Sequence, residues 1–276
     1  MSNITDIGFL LRKFPYSESS LVLKAFTREH GVVSFMAKGA RRQNSRLHGL
    51  LESGLHLQFL FPGHGRGEMR VLSDVALLRD FPGVRDDITR QGLAQVFGEV
   101  LLKYLPDGAR APDYHDLMLR ALERLDVAEL DRAALQTRLA AFLLDFCKLS
   151  GFQPQFRLCA QCGERISGSL VDFSVEQGGA VCGKCRSGEE GSVRMRESTL
   201  LWLRAVQDET EAVVNPPASG DSGEADVDEV DSGSGTVDIS SVDMGRAVEF
   251  LLLYLGRHAG GQKPLKSLEV WRGLLG

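Results

Sequence analysis

Two Cys-x-x-Cys pairs constrain this chain more than any other feature of its sequence. Cys159 and Cys162 form the first pair, Cys182 and Cys185 form the second, and 19 residues separate the pairs. Two residues between thiols let both sulfurs face one side of a tight turn, and two such turns supply the four thiolates that a tetrahedral Zn²⁺ binds. The spacing therefore predicts one metal ion held between two knuckles.

Four thiolates would fill the coordination shell of zinc, whereas a catalytic zinc keeps one position open for water. No His lies between Cys159 and Cys185 to replace a thiolate. We interpret the ion as one structural Zn²⁺ that stabilises a motif, residues 157–187, too short to build a core of its own. An iron–sulfur cluster and a redox-active cysteine pair are the alternatives. Cys147 occupies an apolar helix position and is predicted to be a packed core thiol.

The first 80 residues show the patterns of short β-strands. Apolar stretches with partial alternation recur, and turn residues separate them. The stretches cover residues 7–14, 20–27, 32–38, 55–61 and 69–77, and the glycine-rich residues 62–67 predict a hairpin connection before the last. Five strands favour a small closed barrel, because an open five-stranded sheet would expose two edges. We predict a barrel domain over residues 1–80.

From residue 81 onward the apolar residues recur at three- and four-residue intervals, which is typical of helices. The predicted helices cover residues 87–105, 113–125, 130–149, 197–206, 241–258 and 266–275. Asp113 is a candidate N-cap for the second of them. The fold class is therefore α+β, with a five-stranded β-barrel followed by an all-α domain, residues 81–276, into which the four-cysteine motif is inserted.

The net charge of −5 averages over two regions of opposite sign. Between Gln207 and Asp243 there are 11 acidic residues and no Lys or Arg, so that the remainder of the chain carries +6. The middle of this stretch is rich in Gly, Ser, Pro and Asp, and such a segment cannot bury enough apolar surface to offset its ordering entropy. We predict a disordered acidic insertion over residues 208–240. The alternative is an acidic mimic that competes with nucleic acid for a basic face.

A basic loop follows the third predicted strand. Residues 38–46, hereafter the basic loop, contain no acidic residue and carry four cations, Lys38, Arg41, Arg42 and Arg46. Long cationic side chains on a loop suit phosphate oxygens, and small five-stranded barrels bind single strands through a basic groove. The predicted surface is extended by cations from neighbouring strands, namely Lys24, Arg12 and Lys13. A solvated loop whose charges serve solubility is the alternative.

Neither catalysis nor membrane insertion is indicated by the sequence. The chain has no P-loop, no GxGxxG that opens a helix, no HExxH and no GxSxG. No apolar run approaches the ~18–20 residues that a membrane-spanning helix needs. Paired CxxC motifs are typical of metal binding in a reducing compartment. We therefore expect a non-enzymatic cytoplasmic protein without a membrane partner. The alternative of a zinc enzyme is disfavoured by the closed ligand shell.

Several motifs resemble those of the RecO family of bacterial DNA repair and recombination mediators. They are FPYSESSLVL at residues 14–23, FTREHG at 26–31, AKGARR at 37–42, and FLLLYL at 250–255 with PLKS at 264–267. The four-cysteine motif is similar to that of the zinc-bearing branch of the family. The acidic insertion is a departure from the family pattern.

The resemblance implies an N-terminal OB-type barrel, a helical domain interrupted by the zinc motif, and a role without catalysis. It implies binding of single- and double-stranded DNA, annealing of complementary strands, and loading of RecA together with RecR onto strands coated by single-strand-binding protein. It also implies that the four cations of the basic loop contact phosphates and that the protein works at the nucleoid. The alternative is a zinc-knuckle adaptor between proteins of a repair complex, with the DNA held by a partner.

Overall fold

A computed structural model describes residues 3–47, 49–63, 69–166, 168–186, 192–214, 239–261 and 263–275. A curled β-sheet forms the N-terminal part, helices follow it, and a second, three-stranded sheet lies between the helices. The predicted α+β fold class is confirmed. Residues 64–67 of the predicted hairpin connection, and residues 215–238 of the predicted acidic insertion, lie outside the described residues.

The N-terminal sheet has the strand order β5-β3-β2-β1-β4-β6. Its strands are β1 (Asn3–Pro15), β2 (Leu21–Thr27), β3 (Gly31–Ala37), β4 (His56–Pro62), β5 (Met69–Val71) and β6 (Asp74–Arg79). The β3–β5 pair is parallel, and the other pairs are antiparallel. The two outermost strands, β5 and β6, are therefore consecutive in the chain, and only two residues separate them.

Those two residues join the edges of the sheet. The amide of Leu72 donates to the carbonyl of Met36 on β3 over 3.0 Å, and the amide of Ser73 donates to the carbonyl of Leu60 on β4 over 2.8 Å. Residues 69–79 thus act as one bent strand that pairs with β3 through its first half and with β4 through its second. The structure confirms the predicted N-terminal β-sheet as a curled sheet, with its predicted fifth strand divided at the bend. The OB type of the barrel stays a prediction.

Phenylalanines fill the barrel and also attach it to the helices. Phe35, Phe59 and Phe61 are fully buried in the interior of the barrel, where the ring of Phe35 stacks on that of Phe59 with centroids 5.5 Å apart. Phe9 and Phe26, also fully buried, belong instead to the core of the helical part. Barrel and helices consequently share a continuous apolar contact.

The helical part begins with α1 (Pro82–Arg85). The other helices are α2 (Ile88–Tyr104), α3 (Ala111–Leu125), α4 (Arg132–Leu149), α5 (Glu197–Val214), α6 (Met244–His258) and α7 (Lys266–Leu274). The helix predicted to end at residue 206 continues to Val214, and the one predicted from residue 241 begins at Met244 after a 3₁₀ turn.

The prediction of Asp113 as an N-cap is wrong. Arg110 occupies that position of α3, and Asp113 lies within the first turn, where its negative charge faces the positive end of the helix dipole. A proline at the start of α3 supplies the preset backbone angle that a helix start needs. Side-chain caps occur instead at Asp87, which accepts from two amides of α2, and at Asp131, which accepts from the amide of Ala134 in α4.

A buried carboxylate connects the barrel to two helices. Glu99 on α2 accepts from the guanidinium of Arg12 on β1 (2.7 Å) and from Nζ of Lys103 (2.8 Å). Its second oxygen accepts from the amide and the hydroxyl of Ser267 on α7, over 2.8 and 2.6 Å. Burial by itself would raise the pKa of Glu99, but the contacts with Lys103 and Ser267 outweigh it and lower the pKa to about 2.

We expect Glu99→Gln to lower the free energy of unfolding at pH 7 by about 2 kcal/mol, because two cations would lose their shared carboxylate. A carboxyl group whose pKa is lowered by folding contributes stability above its ordinary value of 4.5, and that contribution disappears as the pH falls toward 2. Urea unfolding of both proteins between neutral and acidic pH measures the effect. Their difference should shrink as the pH falls, and a difference independent of pH would contradict the role assigned to Glu99.

Candidate metal centre and nucleic-acid interface

The structure brings the four cysteines of the two CxxC pairs together. The sulfurs of Cys159, Cys162, Cys182 and Cys185 all lie within 4.8 Å of one another, and those of Cys162 and Cys182 are 3.7 Å apart. Ligands of one tetrahedral zinc, each ~2.3 Å from the ion, have sulfur–sulfur separations of this size. The donor set is four sulfurs, and it fits a thiophilic ion such as Zn²⁺.

A small antiparallel sheet positions the second pair. Its strands are β7 (Leu170–Ser174), β8 (Gly179–Val181) and β9 (Ser192–Arg196), in the order β8-β7-β9. Cys182 follows β8 directly, and the amide of Ala160 beside the first pair donates to the carbonyl of Ala180 on β8 over 2.9 Å. After Cys162 the chain turns back at Gly163, whose φ of +74° favours glycine. The spacing of the cysteines predicts the knuckles but not the sheet.

Backbone amides prepare the first pair for metal binding. The amide of Cys182 donates to Sγ of Cys159 over 3.3 Å. Burial raises the pKa of the Cys159 thiol, but amide donors, those of Cys182 and Cys162 foremost, outweigh burial and lower the pKa to about 6. The thiolate is the form of cysteine that binds a metal. Cys147, in contrast, is fully buried, and burial raises the pKa of its thiol, which confirms it as a core residue.

The four cations of the basic loop are exposed. Lys38, Arg41, Arg42 and Arg46 lie on the surface where the chain leaves β3. Within the described part of the chain none of the four is in an ion pair, although other cations of the barrel are. Uncompensated charge on an exposed loop is available to a polyanion.

The basic loop is anchored to the turn between β1 and β2. A guanidinium nitrogen of Arg41 donates to the carbonyl of Ser17 over 2.6 Å, and the amide of Arg41 donates to the carbonyl of Ser19 over 3.0 Å. Ala40 and Leu51 are buried in the barrel core and hold the segment from below. The cations therefore project from a backbone that is fixed at several points.

The other cations predicted for this surface have protein partners. Arg12 donates to Glu99, and Lys13 lies 2.7 Å from the carboxylate of Glu52. Lys24 is half-buried and donates to the hydroxyl of Ser34 over 2.7 Å. A DNA contact by these three residues stays a prediction. The unpaired positive charge of this face is concentrated on the basic loop.

Aromatic side chains beside the basic loop were not singled out by the sequence pattern. Phe26, Phe35, Phe59 and Phe61 are fully buried, whereas Phe14 is 44% and Tyr16 is 66% exposed. Tyr16 lies in the Pro15-Tyr16-Ser17 turn, and such connecting segments run over the protein surface. Phe14 is the penultimate residue of β1.

No helix among the described residues has both the length and the apolar character that a membrane crossing requires.

Two family models match the chain. The model for the N-terminal part of recombination protein O matches residues 1–81, and the model for its C-terminal part matches residues 85–220. Similar curated proteins carry the name DNA repair protein RecO. The one from Anaeromyxobacter dehalogenans strain 2CP-C is 30% identical over 208 residues, which is 75% of this chain and 80% of that protein. The one from Gloeobacter violaceus is 32% identical over 203 residues, which is 73% of this chain and 76% of that protein.

Proposed function

The chain belongs to the RecO family of DNA repair proteins, and from that premise we propose that it is a non-enzymatic recombination mediator. It binds single- and double-stranded DNA, anneals complementary strands, and acts with RecR to load RecA onto strands coated by single-strand-binding protein. This work takes place at the nucleoid. The observation that carries the proposal is the basic loop, with four exposed cations and no carboxylate partner among the described residues.

Annealing needs charge neutralisation rather than a catalytic group. Two complementary strands repel each other through their phosphates, and base pairing supplies the driving force once that repulsion is reduced. Lys and Arg side chains that replace condensed counterions provide the reduction, and the released counterions make the affinity depend steeply on salt. The basic loop is anchored by contacts with the carbonyls of Ser17 and Ser19. Because its backbone is already fixed, the loop loses little conformational entropy when DNA binds.

We assign different functions to the two parts of the fold. We assign DNA binding to residues 1–80, with Lys38, Arg41, Arg42 and Arg46 at its centre and Lys24, Arg12 and Lys13 at its margin. The helical part, residues 81–276, would carry the four-cysteine motif at 157–187 and the acidic insertion at 208–240. One structural Zn²⁺ bound by the four cysteines would cross-link the two knuckles, and four protein ligands would leave it no position for a substrate.

Strand annealing across a salt series tests the proposal. Short complementary oligonucleotides, one with a fluorophore and one with a quencher, are mixed with the purified protein between about 50 and 200 mM salt. We expect annealing well above the rate of free strands at the low end and a steep fall toward the high end. A protein that binds RecR or single-strand-binding protein but anneals nothing at any salt concentration would support the adaptor alternative instead.

A further inference from the structure

The turn between β1 and β2 presents an aromatic ring to solvent. Tyr16, at 66%, is the most exposed large apolar side chain among the described residues. Isolated exposed apolar residues are common on protein surfaces, so the exposure gains meaning only from what surrounds the ring. Its neighbours along the chain are Pro15, which lines a cleft, and Ser17, which accepts from Arg41 of the basic loop.

Hydrogen bonds fix the conformation of this turn. The amide of Tyr16 donates to the carbonyl of Ser20 over 3.1 Å, and the amide of Ser20 donates to the hydroxyl of Ser17 over 3.2 Å. Pro15 restricts the backbone on the other side of the ring. Together with the two contacts from Arg41, these bonds hold Tyr16 on a preorganised turn at the same end of the barrel as the basic loop.

A cleft of about 450 Å³ opens between this turn and the basic loop. Its walls are mostly apolar and come from the end of β1, the start of β2 and the segment between β3 and β4. The apolar lining includes Pro15, Leu21, Leu47 and Leu51, and the charged lining consists of Arg41 and the Lys13–Glu52 ion pair. A mostly apolar cleft of a few hundred cubic ångströms with a few charged groups in its lining matches the general character of a small-ligand site.

We propose that Tyr16 and this cleft receive unpaired bases of a single strand whose phosphates lie on the basic loop. The inference rests on the proposed DNA binding. It assigns to this part of the surface the ability to distinguish single-stranded from double-stranded DNA. A base offers an uncharged, flat face that stacks on an aromatic ring whatever its identity. A single strand has charged phosphates along its backbone and apolar faces on its bases. The cations of the basic loop suit the phosphates, and the apolar surface beside them suits the bases.

A duplex has no free base to offer. Its bases are paired and stacked on one another, so that a duplex contacts the basic loop through phosphates alone. The contribution of Tyr16 is therefore confined to single strands, and it is lost when the bases pair. A strand held by stacking in this manner is released from the ring as it anneals to its complement.

The test compares three probes on the full-length protein by fluorescence anisotropy at one salt concentration. The probes are oligothymidylate, an abasic strand of the same length, and a duplex. We expect Tyr16→Ala to weaken the binding of oligothymidylate roughly tenfold and to leave the affinity for the other two probes unchanged. Tyr16→Phe, which keeps the ring, should bind all three probes as the wild type does.

Phe14→Ala serves as the matched control. Phe14 is also exposed, but it alternates along β1 with the cleft-lining Lys13 and Pro15 and so faces the opposite side of the strand. Its removal should not change the preference for oligothymidylate over the abasic strand. Circular dichroism and thermal unfolding of each variant confirm that the barrel is intact.

Two results would overturn the inference while leaving the proposed function standing. One is an unchanged affinity of Tyr16→Ala for oligothymidylate, and the other is an equal loss on oligothymidylate and on the abasic strand. A loss of preference in Phe14→Ala as large as that in Tyr16→Ala would also contradict the assignment to Tyr16. If the wild type binds none of the three probes, the proposed function itself fails.

Discussion

Reversing two charges of the basic loop, Arg41→Glu with Arg42→Glu, is expected to weaken the binding of single-stranded DNA at least a hundredfold at about 50 mM salt. The change removes two phosphate contacts and places two carboxylates where the phosphates would lie. On a logarithmic plot of affinity against salt concentration, the slope should become shallower by about 1.4, since each contact to a single strand accounts for ~0.7. Anisotropy titrations of oligothymidylate across the salt series measure both quantities.

Two further variants separate loss of charge from other causes. Arg41 also donates to Ser17, so Arg42→Glu with Arg46→Glu gives the same reversal without removing that anchor. Arg246→Glu with Arg272→Glu reverses two exposed charges on α6 and α7 and shifts the net charge of the chain equally. We expect the former to match the first variant and the latter to bind nearly as the wild type does. A similar loss in the α6–α7 variant would show that only the net charge matters.

Removing one thiol of the metal centre by Cys162→Ser is expected to abolish stoichiometric metal binding and to lower the melting temperature by roughly 10 °C. Binding of zinc to four-ligand structural sites contributes about 10–16 kcal/mol of apparent free energy, and part of it here stabilises the fold. Phe173 on β7 belongs to the same apolar core as Phe250 on α6, with ring centroids 5.3 Å apart. Disorder in the knuckles would therefore reach the helical core.

Cys147→Ala provides the control for a lost thiol. That variant removes a buried sulfur from α4 at a cost of about 1 kcal/mol, yet it leaves the four ligands in place. Elemental analysis should find one zinc per chain in the wild type and in Cys147→Ala, and none in Cys162→Ser. Full zinc content in Cys162→Ser would contradict the four-ligand site. Iron together with acid-labile sulfide in the wild type would show that the four cysteines hold an iron–sulfur cluster and not zinc.

Much of the barrel could be predicted because its signals are local. Alternation along each strand identified the stretches that became β1 to β4. Phe35, Phe59 and Phe61, which lie in these stretches, are fully buried. The division of the fifth strand was not predictable, because the bend at Leu72 and Ser73 is set by partners on two different strands. The four cysteines were predictable because their spacing alone determines how they meet.

The contacts between distant segments could not be read from the sequence. Arg12 and Glu99 are 87 positions apart, and no pattern marks Arg12 as a partner of a buried carboxylate rather than as a phosphate contact. His56 and His115 form a buried pair with their Nε2 atoms 3.1 Å apart, and burial, with further contributions from the neighbouring His115 and Arg79, lowers the pKa of His56 to about 4. The strands β7 to β9 span only three to five residues each, too few for the sequence pattern to identify them as a sheet.

Amide hydrogen exchange of the full-length protein, with and without saturating oligothymidylate, tests most directly where the polynucleotide lies. Amides whose hydrogen exchange slows on binding identify the segments that the ligand covers or stabilises. The proposal predicts slower exchange in the basic loop and in the turn that carries Tyr16, with little change in α5 and α6. Slower exchange confined to the helical part, with the basic loop unchanged while the strand is bound, would contradict it.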